Sequence, residues 1–203
     1  MTRIKICGLT RDEDVSCVNS LLPDYAGFVF AKGRRRYISP DTAERLRSGL
    51  DERITTVGVF VDEDPDIIAE IAGRGIIGCV QLHGRESEEY IGRVKSMTGL
   101  PVIKAFRIES EADAAAAESS CADMILLDNG AGGTGETFDH TVLNVMKRPY
   151  FLAGGLSPEN VGMIMYGYHP YGLDVSSGVE TNGNKDPEKI RQFIETVSMN
   201  DEI

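Results

Sequence analysis

Short apolar runs rich in β-branched and aromatic residues recur along the chain, each closed by a polar or glycine-containing turn. They are Arg3 to Cys7, Tyr25 to Phe30, Ile54 to Val61, Ile77 to His83, Pro101 to Phe106, Asp123 to Leu127, Pro149 to Ala153 and Tyr171 to Val175. Their length and composition predict eight strands. The stretches between them open on helix-start signals and continue at helical spacing: Thr10-Arg11-Asp12-Glu13, Ser39-Pro40-Asp41-Thr42, Asp64-Pro65-Asp66, Ser157-Pro158-Glu159-Asn160 and Asp186-Pro187-Glu188. A capping side chain followed by proline suits the first helical turn, where backbone N–H groups lack partners. The alanines from Ala114 to Ala117 read as a helix interior.

Strict alternation of strand and helix implies parallel strands joined by crossovers. Eight such units in 203 residues predict a single domain over residues 1–203, an α/β fold of the closed (β/α)8 TIM-barrel type. The rival, an open doubly wound sheet binding a dinucleotide, would carry G-x-G-x-x-G after its first strand. That turn here reads Cys7-Gly8-Leu9-Thr10, so the fingerprint is missing.

Charge narrows the possible ligands. The chain has 21 basic and 32 acidic residues, a formal charge of -11, which argues against nucleic-acid or anionic-membrane partners. An anionic ligand must therefore be held by local groups. No apolar stretch approaches the roughly 18 residues that span a bilayer, and the start of the chain lacks signal-peptide character, so a cytoplasmic location is expected. The cysteines Cys7, Cys17, Cys79 and Cys121 are scattered, without C-x-x-C spacing or a nearby histidine pair. Neither disulfides nor a metal site is expected, and all but Cys7 read as small buried or half-buried hydrophobes.

In such barrels the chemistry lies where strands end. Ala153-Gly154-Gly155-Leu156-Ser157-Pro158 follows the seventh run, and Ser176-Ser177-Gly178-Val179-Glu180 the eighth. Glycines admit close approach of backbone to ligand, helix starts offer N–H groups, and these two loops hold phosphate in barrels of this kind. Gly154, Gly155, Ser176, Ser177 and Gly178 are thus candidate phosphate ligands. The glycine-rich stretch after Asp128, with Gly133, Thr134 and Gly135, is a candidate lid. Strand alternation turns Lys5 and Cys7 toward the barrel axis, where a buried lysine needs a carboxylate; Asp174 is the first candidate and Asp128 the second. Lys5 beside Cys7 would favour the thiolate. A thiolate base and a carboxylic acid opposite a phosphate grip suit isomerisation of a sugar phosphate. Nucleophilic catalysis by Cys7 is the weaker reading, with His83 the only histidine placed to activate it.

Many ordered motifs, including Lys5-Ile6-Cys7-Gly8-Leu9-Thr10, Gly27-Phe28-Val29-Phe30, Arg36-Tyr37-Ile38-Ser39-Pro40, Val80-Gln81-Leu82-His83-Gly84, Leu126-Leu127-Asp128, Ala153-Gly154-Gly155-Leu156 and Asp174-Val175-Ser176-Ser177-Gly178-Val179-Glu180, resemble the phosphoribosylanthranilate isomerases of tryptophan biosynthesis, essentially end to end. The resemblance implies an Amadori rearrangement of N-(5-phosphoribosyl)anthranilate to 1-(2-carboxyphenylamino)-1-deoxyribulose 5-phosphate, with no cofactor and no metal. It makes Asp128 the general acid and Cys7 the general base. Asp128 would then need a pKa above the usual value of about 3.9.

Arg36 matches the family's arginine for the substrate carboxylate, while Arg34 stands where the family usually has serine, leaving open which of Arg34, Arg35 and Arg36 reaches the ligand. Gln81 and His83 share a strand face and, with Asp174, are candidate substrate contacts; Cys79 reads as core. The related isomerase of histidine biosynthesis uses aspartate where Cys7 stands and has a second phosphate loop, and this chain shows neither. Dual-substrate activity and a non-catalytic sugar-phosphate-binding barrel are the alternatives weighed. A monomer is the default expectation, with a homodimer through barrel-end loops reading the same in sequence.

Overall fold

Eight parallel strands close on themselves in chain order, each hydrogen-bonded to its sequence neighbours and the last to the first. The computed structural model describes residues 1–128 and 146–201. The strands are β1 (Arg3–Cys7), β2 (Tyr25–Val29), β3 (Thr55–Phe60), β4 (Cys79–Leu82), β5 (Val102–Arg107), β6 (Met124–Asp128), β7 (Tyr150–Ala153) and β8 (Gly172–Val175). The helices are α1 (Asp12–Leu21), α2 (Pro40–Ser48), α3 (Pro65–Gly73), α4 (Glu88–Thr98), α5 (Glu111–Ser119), α6 (Val161–Tyr168) and α7 (Pro187–Asp201). Residues 129–145 of the sixth crossover, with the candidate lid Gly133, Thr134 and Gly135, lie outside the described residues.

All eight expected strands are present, with ends shifted by a residue or two. The third and fourth apolar runs overrun their ladders because apolar residues also pack beyond them: Ile54, Ile76 and Ile77 are buried although none lies in a strand. Helix starts follow the caps. Ser39 accepts from the Thr42 N–H at 3.2 Å, and Asp64 from that of Asp66 at 3.0 Å, satisfying first-turn donors. One start differs. The regular part of α6 begins at Val161 because Asn160 folds back on the preceding turn, accepting from Ser157 N–H and donating to the Gly155 carbonyl, both at 2.8 Å.

Strand alternation produces two buried layers. Outward side chains such as Ile6, Phe28, Val80 and Leu127 pack under the helices, while Val57, Cys79, Ile103, Leu126 and Phe151 fill the barrel. Phe151 forms the floor, meeting Tyr25 and Tyr171 edge-on at centroid distances of 5.6 and 5.5 Å. Gly172 opposite it is required, since a Cβ there would overlap the Phe151 ring. Burial pushes the Cys79 thiol up to about 12, as suits an inert core cysteine. Cys121 departs from expectation: it is exposed on the turn between α5 and β6, its thiol directed at the Glu88 carbonyl. No helix among the described residues is long and apolar enough to cross a membrane.

One element was not anticipated. Glu180–Thr181 (β9) and Asn184–Lys185 (β10) form a short antiparallel hairpin after β8. Its turn is Asn182-Gly183, both at positive φ (52° and 84°), and this dipeptide is the sequence signal that could have revealed it.

Candidate active site

At the C-terminal rim a cavity of about 550 Å³ opens. Its lining brings together Cys7, Arg36, Gln81, His83, Asp128, Asp174, Gly154, Gly155, Ser176 and Ser177, contributions from six of the eight strands and the loops that follow them. Gly178 does not line it. Its tight approach to the Leu156 carbonyl, which any Cβ would overlap, instead locks the β8 loop against the β7 loop.

Below the rim Lys5 and Asp174 stand in register on β1 and β8. The fully buried ammonium donates to both carboxylate oxygens at 3.0 and 2.9 Å. This is the first-choice partner expected from sequence. Burial works against the Lys5 charge, but attraction to Asp174 and the Cys7 sulfur outweighs it and raises the lysine pKa.

The effect on Cys7 is a correction to the simple expectation. Burial pushes the thiol up; Lys5 pulls it down, Asp174 pushes it up again, and the net direction is upward. The carboxylate that makes a buried lysine tolerable also cancels much of its field at the sulfur. Gly27, in register with Cys7 on β2, gives the pair its space: a Cβ there would lie 2.8 Å from Cys7 Sγ and 3.3 Å from Lys5 Nζ.

A second charged cluster, not foreseen from sequence, centres on Glu180. Arg36 donates to it bidentately, Nε at 2.6 Å and Nη2 at 3.0 Å, while Arg35 and Lys185 bind the same carboxylate. Burial would raise the Glu180 pKa, yet the hydrogen bonds from Arg36 and Lys185 prevail and hold it at about 2. Lys185 also donates to the Ser176 carbonyl at 2.9 Å, and the Ser176 hydroxyl donates to the Cys7 carbonyl at 3.0 Å. The hairpin thereby braces the strand end carrying Cys7. Burial lowers the Lys185 pKa against its attraction to Glu180.

Across the cavity, Gln81 Nε2 lies 3.0 Å from His83 Nδ1, and His83 Nε2 lies 3.3 Å from Asp128 Oδ2. The neighbouring loop is held by a buried pair absent from the sequence reading. Lys104 binds Glu86 and the Gly84 carbonyl at 3.0 and 2.8 Å, and Glu86 accepts the Gly84 N–H.

Chemically, the rim combines a thiol and a carboxyl group, Cys7 and Asp128, with regions suited to different parts of one ligand. Gly154 and Gly155 take positive φ (90° and 67°), so the β7 loop can present backbone N–H groups to an anion. Val29, Ala31, Val59 and Val61 make an apolar wall beside Arg36. Among the described residues no group of three or more His, Cys, Asp or Glu converges as a metal site.

The family model of N-(5'-phosphoribosyl)anthranilate (PRA) isomerase matches residues 4–196. Two relatives described as N-(5'-phosphoribosyl)anthranilate isomerase are close to it. That of Endomicrobium trichonymphae is 48% identical over 203 residues, covering 98% of both chains. That of Acetivibrio thermocellus is 42% identical over 207, covering 96% of this chain and 94% of its own. The crystal structure of phosphoribosyl anthranilate isomerase from Thermotoga maritima superposes with a TM-score of 0.88 at 37% identity, covering 98% of this chain and 100% of the other. A further such isomerase, in complex with reduced 1-(o-carboxyphenylamino)-1-deoxyribulose 5-phosphate, gives 0.85 at 36% identity, with the same coverage.

Proposed function

The chain belongs to the N-(5'-phosphoribosyl)anthranilate isomerase family of tryptophan biosynthesis, and from that premise we propose that Cys7 and Asp128 are the base and acid of its reaction. The reaction is an aldose–ketose isomerisation, an intramolecular oxidoreduction in which C1 is reduced as C2 is oxidised. Asp128 gives its proton to the furanose ring oxygen as the C1–O bond breaks, leaving a Schiff base between C1 and the anthranilate nitrogen. Cys7 then takes the C2 proton, and the enolamine that forms tautomerises to the ketone. Protons balance over the cycle, because the one Asp128 delivers matches the one Cys7 collects.

The carrying observation is the order of groups around the rim. The β7 and β8 loops, with Gly154, Gly155, Ser176 and Ser177, come first; Cys7 on β1 follows; the apolar wall and Arg36 of β2 and β3 come next. A ligand with phosphate at one end and an aromatic carboxylate at the other would hold its sugar carbons against Cys7. Asp128 on β6 faces the same cavity, three strands from Cys7 around the ring. Backbone N–H groups of the two loops serve the phosphate. The Ser176 hydroxyl is already engaged with the Cys7 carbonyl.

Of the three adjacent arginines we assign Arg36 to the substrate carboxylate. It is the least exposed and is oriented by Glu180. That bidentate contact uses two of its five donors, leaving three for the ligand. Gln81, His83 and Asp174 complete the site through their neighbours. The starting pair, thiolate with carboxylic acid, has the same proton count as thiol with carboxylate, so the enzyme must move a proton between them rather than acquire one. We place the reaction in the cytoplasm, without cofactor or metal and with no membrane or nucleic-acid partner. A sedimentation measurement decides between monomer and homodimer.

Turnover of phosphoribosylanthranilate generated in situ tests the assignment. Cys7→Ser and Asp128→Asn should each lose at least about 100-fold in kcat, the usual scale for an acid or base, while still binding a phosphorylated product analogue. Near-wild-type turnover in either variant refutes that residue's role.

A further inference from the structure

The acid assigned above must be protonated to act, yet its neighbours are arranged for a carboxylate. As placed, the Gln81 amide donates to His83 Nδ1. A nitrogen that accepts carries no proton, so His83 is the Nε2–H tautomer and donates to Asp128 Oδ2, across 3.0 and 3.3 Å respectively. A proton added to the His83–Asp128 pair reverses this order. Whether it sits on Asp128 and points at Nε2, or on the ring and leaves an imidazolium, Nδ1 then bears a hydrogen and needs an acceptor. Gln81 supplies one by a half-turn that exchanges Oε1 with Nε2 at the same positions.

Such a turn requires that the far end of the amide be unpinned, and it is. Gln81 is 1% exposed, and its Oε1 is a buried side-chain oxygen with no hydrogen-bond partner among the described residues. Buried polar atoms are almost always paired, so the orphan is informative. Among the described residues no partner behind the amide favours either orientation, and His83 decides between them.

We propose that Gln81 is a positioning residue whose amide turns end for end as the His83–Asp128 pair gains and loses a proton, so that the site can hold Asp128 ready as the acid and later stabilise it as the carboxylate. The inference rests on Asp128 being the acid of the proposed mechanism. Among the described residues the charged groups facing the pair are Arg107, in register with Asp128 on β5 and ion-paired with Glu109 at 2.7 Å, and Asp62, Glu86 and Lys104 around Gly84. Across the cavity lie Cys7, Asp174 and the loop from Arg34 to Arg36. None of these has a hydrogen bond to the amide among the described contacts, so substitution at Gln81 changes the relay while leaving them in place.

The test is the pH dependence of kcat in wild type, Gln81→Met and Gln81→Glu. Methionine fills the space but accepts no hydrogen bond from Nδ1–H, so the alkaline limb of kcat should move to lower pH, with activity down about tenfold at pH 8 and recovering on acidification. Glutamate accepts only, and should move the limb to higher pH. Falls in kcat that are uniform in pH, or changes confined to KM, would overturn the relay.

A measurement on the wild type is independent of how the variants fold. With ¹⁵N-labelled histidine, His83 is identifiable among three histidines by its loss in His83→Asn. Its Nδ1 should become protonated, and the Gln81 amide signals should shift, with one midpoint. An Nδ1 that never binds a proton across the titration would equally overturn the proposal. Absence of wild-type turnover would instead remove the underlying assignment of Asp128.

Discussion

Replacing Glu180 by Gln removes the charge around which Arg36, Arg35 and Lys185 are gathered, and the structure sets the magnitude. The carboxyl falls from an ordinary value of 4.5 to about 2 on folding. At 1.36 kcal/mol per unit, the carboxylate form contributes about 3 kcal/mol to stability. The side chain is only 6% exposed, so solvent screening does not erase this figure. Because the folded value lies below the unfolded one, the contribution is complete above about pH 4.5 and is lost as the pH falls toward 2. Urea unfolding of wild type and Glu180→Gln at pH 7, 5 and 3.5 isolates it, since every other carboxylate cancels in the difference. The gap between the two proteins should be constant from pH 7 to 5 and narrow by about 1.4 kcal/mol at pH 3.5. A gap that does not change over this range would show that Glu180 is not held low by its cationic partners, and would remove the argument that it orients Arg36.

Two further outcomes follow from the barrel interior. Lys5→Met leaves Asp174 as a buried, unpaired carboxylate and should cost about 3–5 kcal/mol, much of it recovered in the Lys5→Met, Asp174→Asn double variant; equal stabilities of the single and double variants would contradict the pairing. Because Lys5 exerts the largest downward pull on the Cys7 thiol, with a smaller one from Lys185, while Asp174 pushes it up, the single variant should alkylate at Cys7 more slowly at a given pH, measured in a Cys121→Ser background to silence the exposed thiol. An unchanged rate would exclude Lys5 from tuning the sulfur. Gly27→Ala places a methyl group 2.8 Å from the Cys7 sulfur; it should cost about 1–3 kcal/mol as overpacking and lower kcat more than it raises KM, and wild-type kinetics in this variant would show that the sulfur is not confined there.

The strand order, the inward parity of Lys5 and Cys7, the arrival of Asp128 at a strand end and the glycine loops after β7 and β8 were all legible in the chain. Each depends on a short-range signal: period-two alternation, a capping side chain before proline, a glycine where a turn must open. The Lys5–Asp174 pair was legible too, because closure of eight strands makes the last neighbour the first. Glu180 and Lys185 were not. Glu180 ends a Ser-Ser-Gly-Val turn and Lys185 lies just past the Asn-Gly turn of the hairpin; only folding brings them to Arg36 and the Cys7 strand, 144 residues away in the case of Arg36. Lys104 and Glu86 escaped for the same reason.

Sequence by itself determined the architecture and singled out the groups proposed to react, because periodicity and the order of turns act over a few residues and do not depend on what folds against them. Tertiary structure decided the chemistry's balance. Whether Cys7 is pushed toward thiol or thiolate, which arginine is oriented by a carboxylate, and which way the Gln81 amide faces depend on burial and on distances between groups remote in the chain. Those electrostatic terms oppose one another closely, and their sum exists only once the barrel has closed around them.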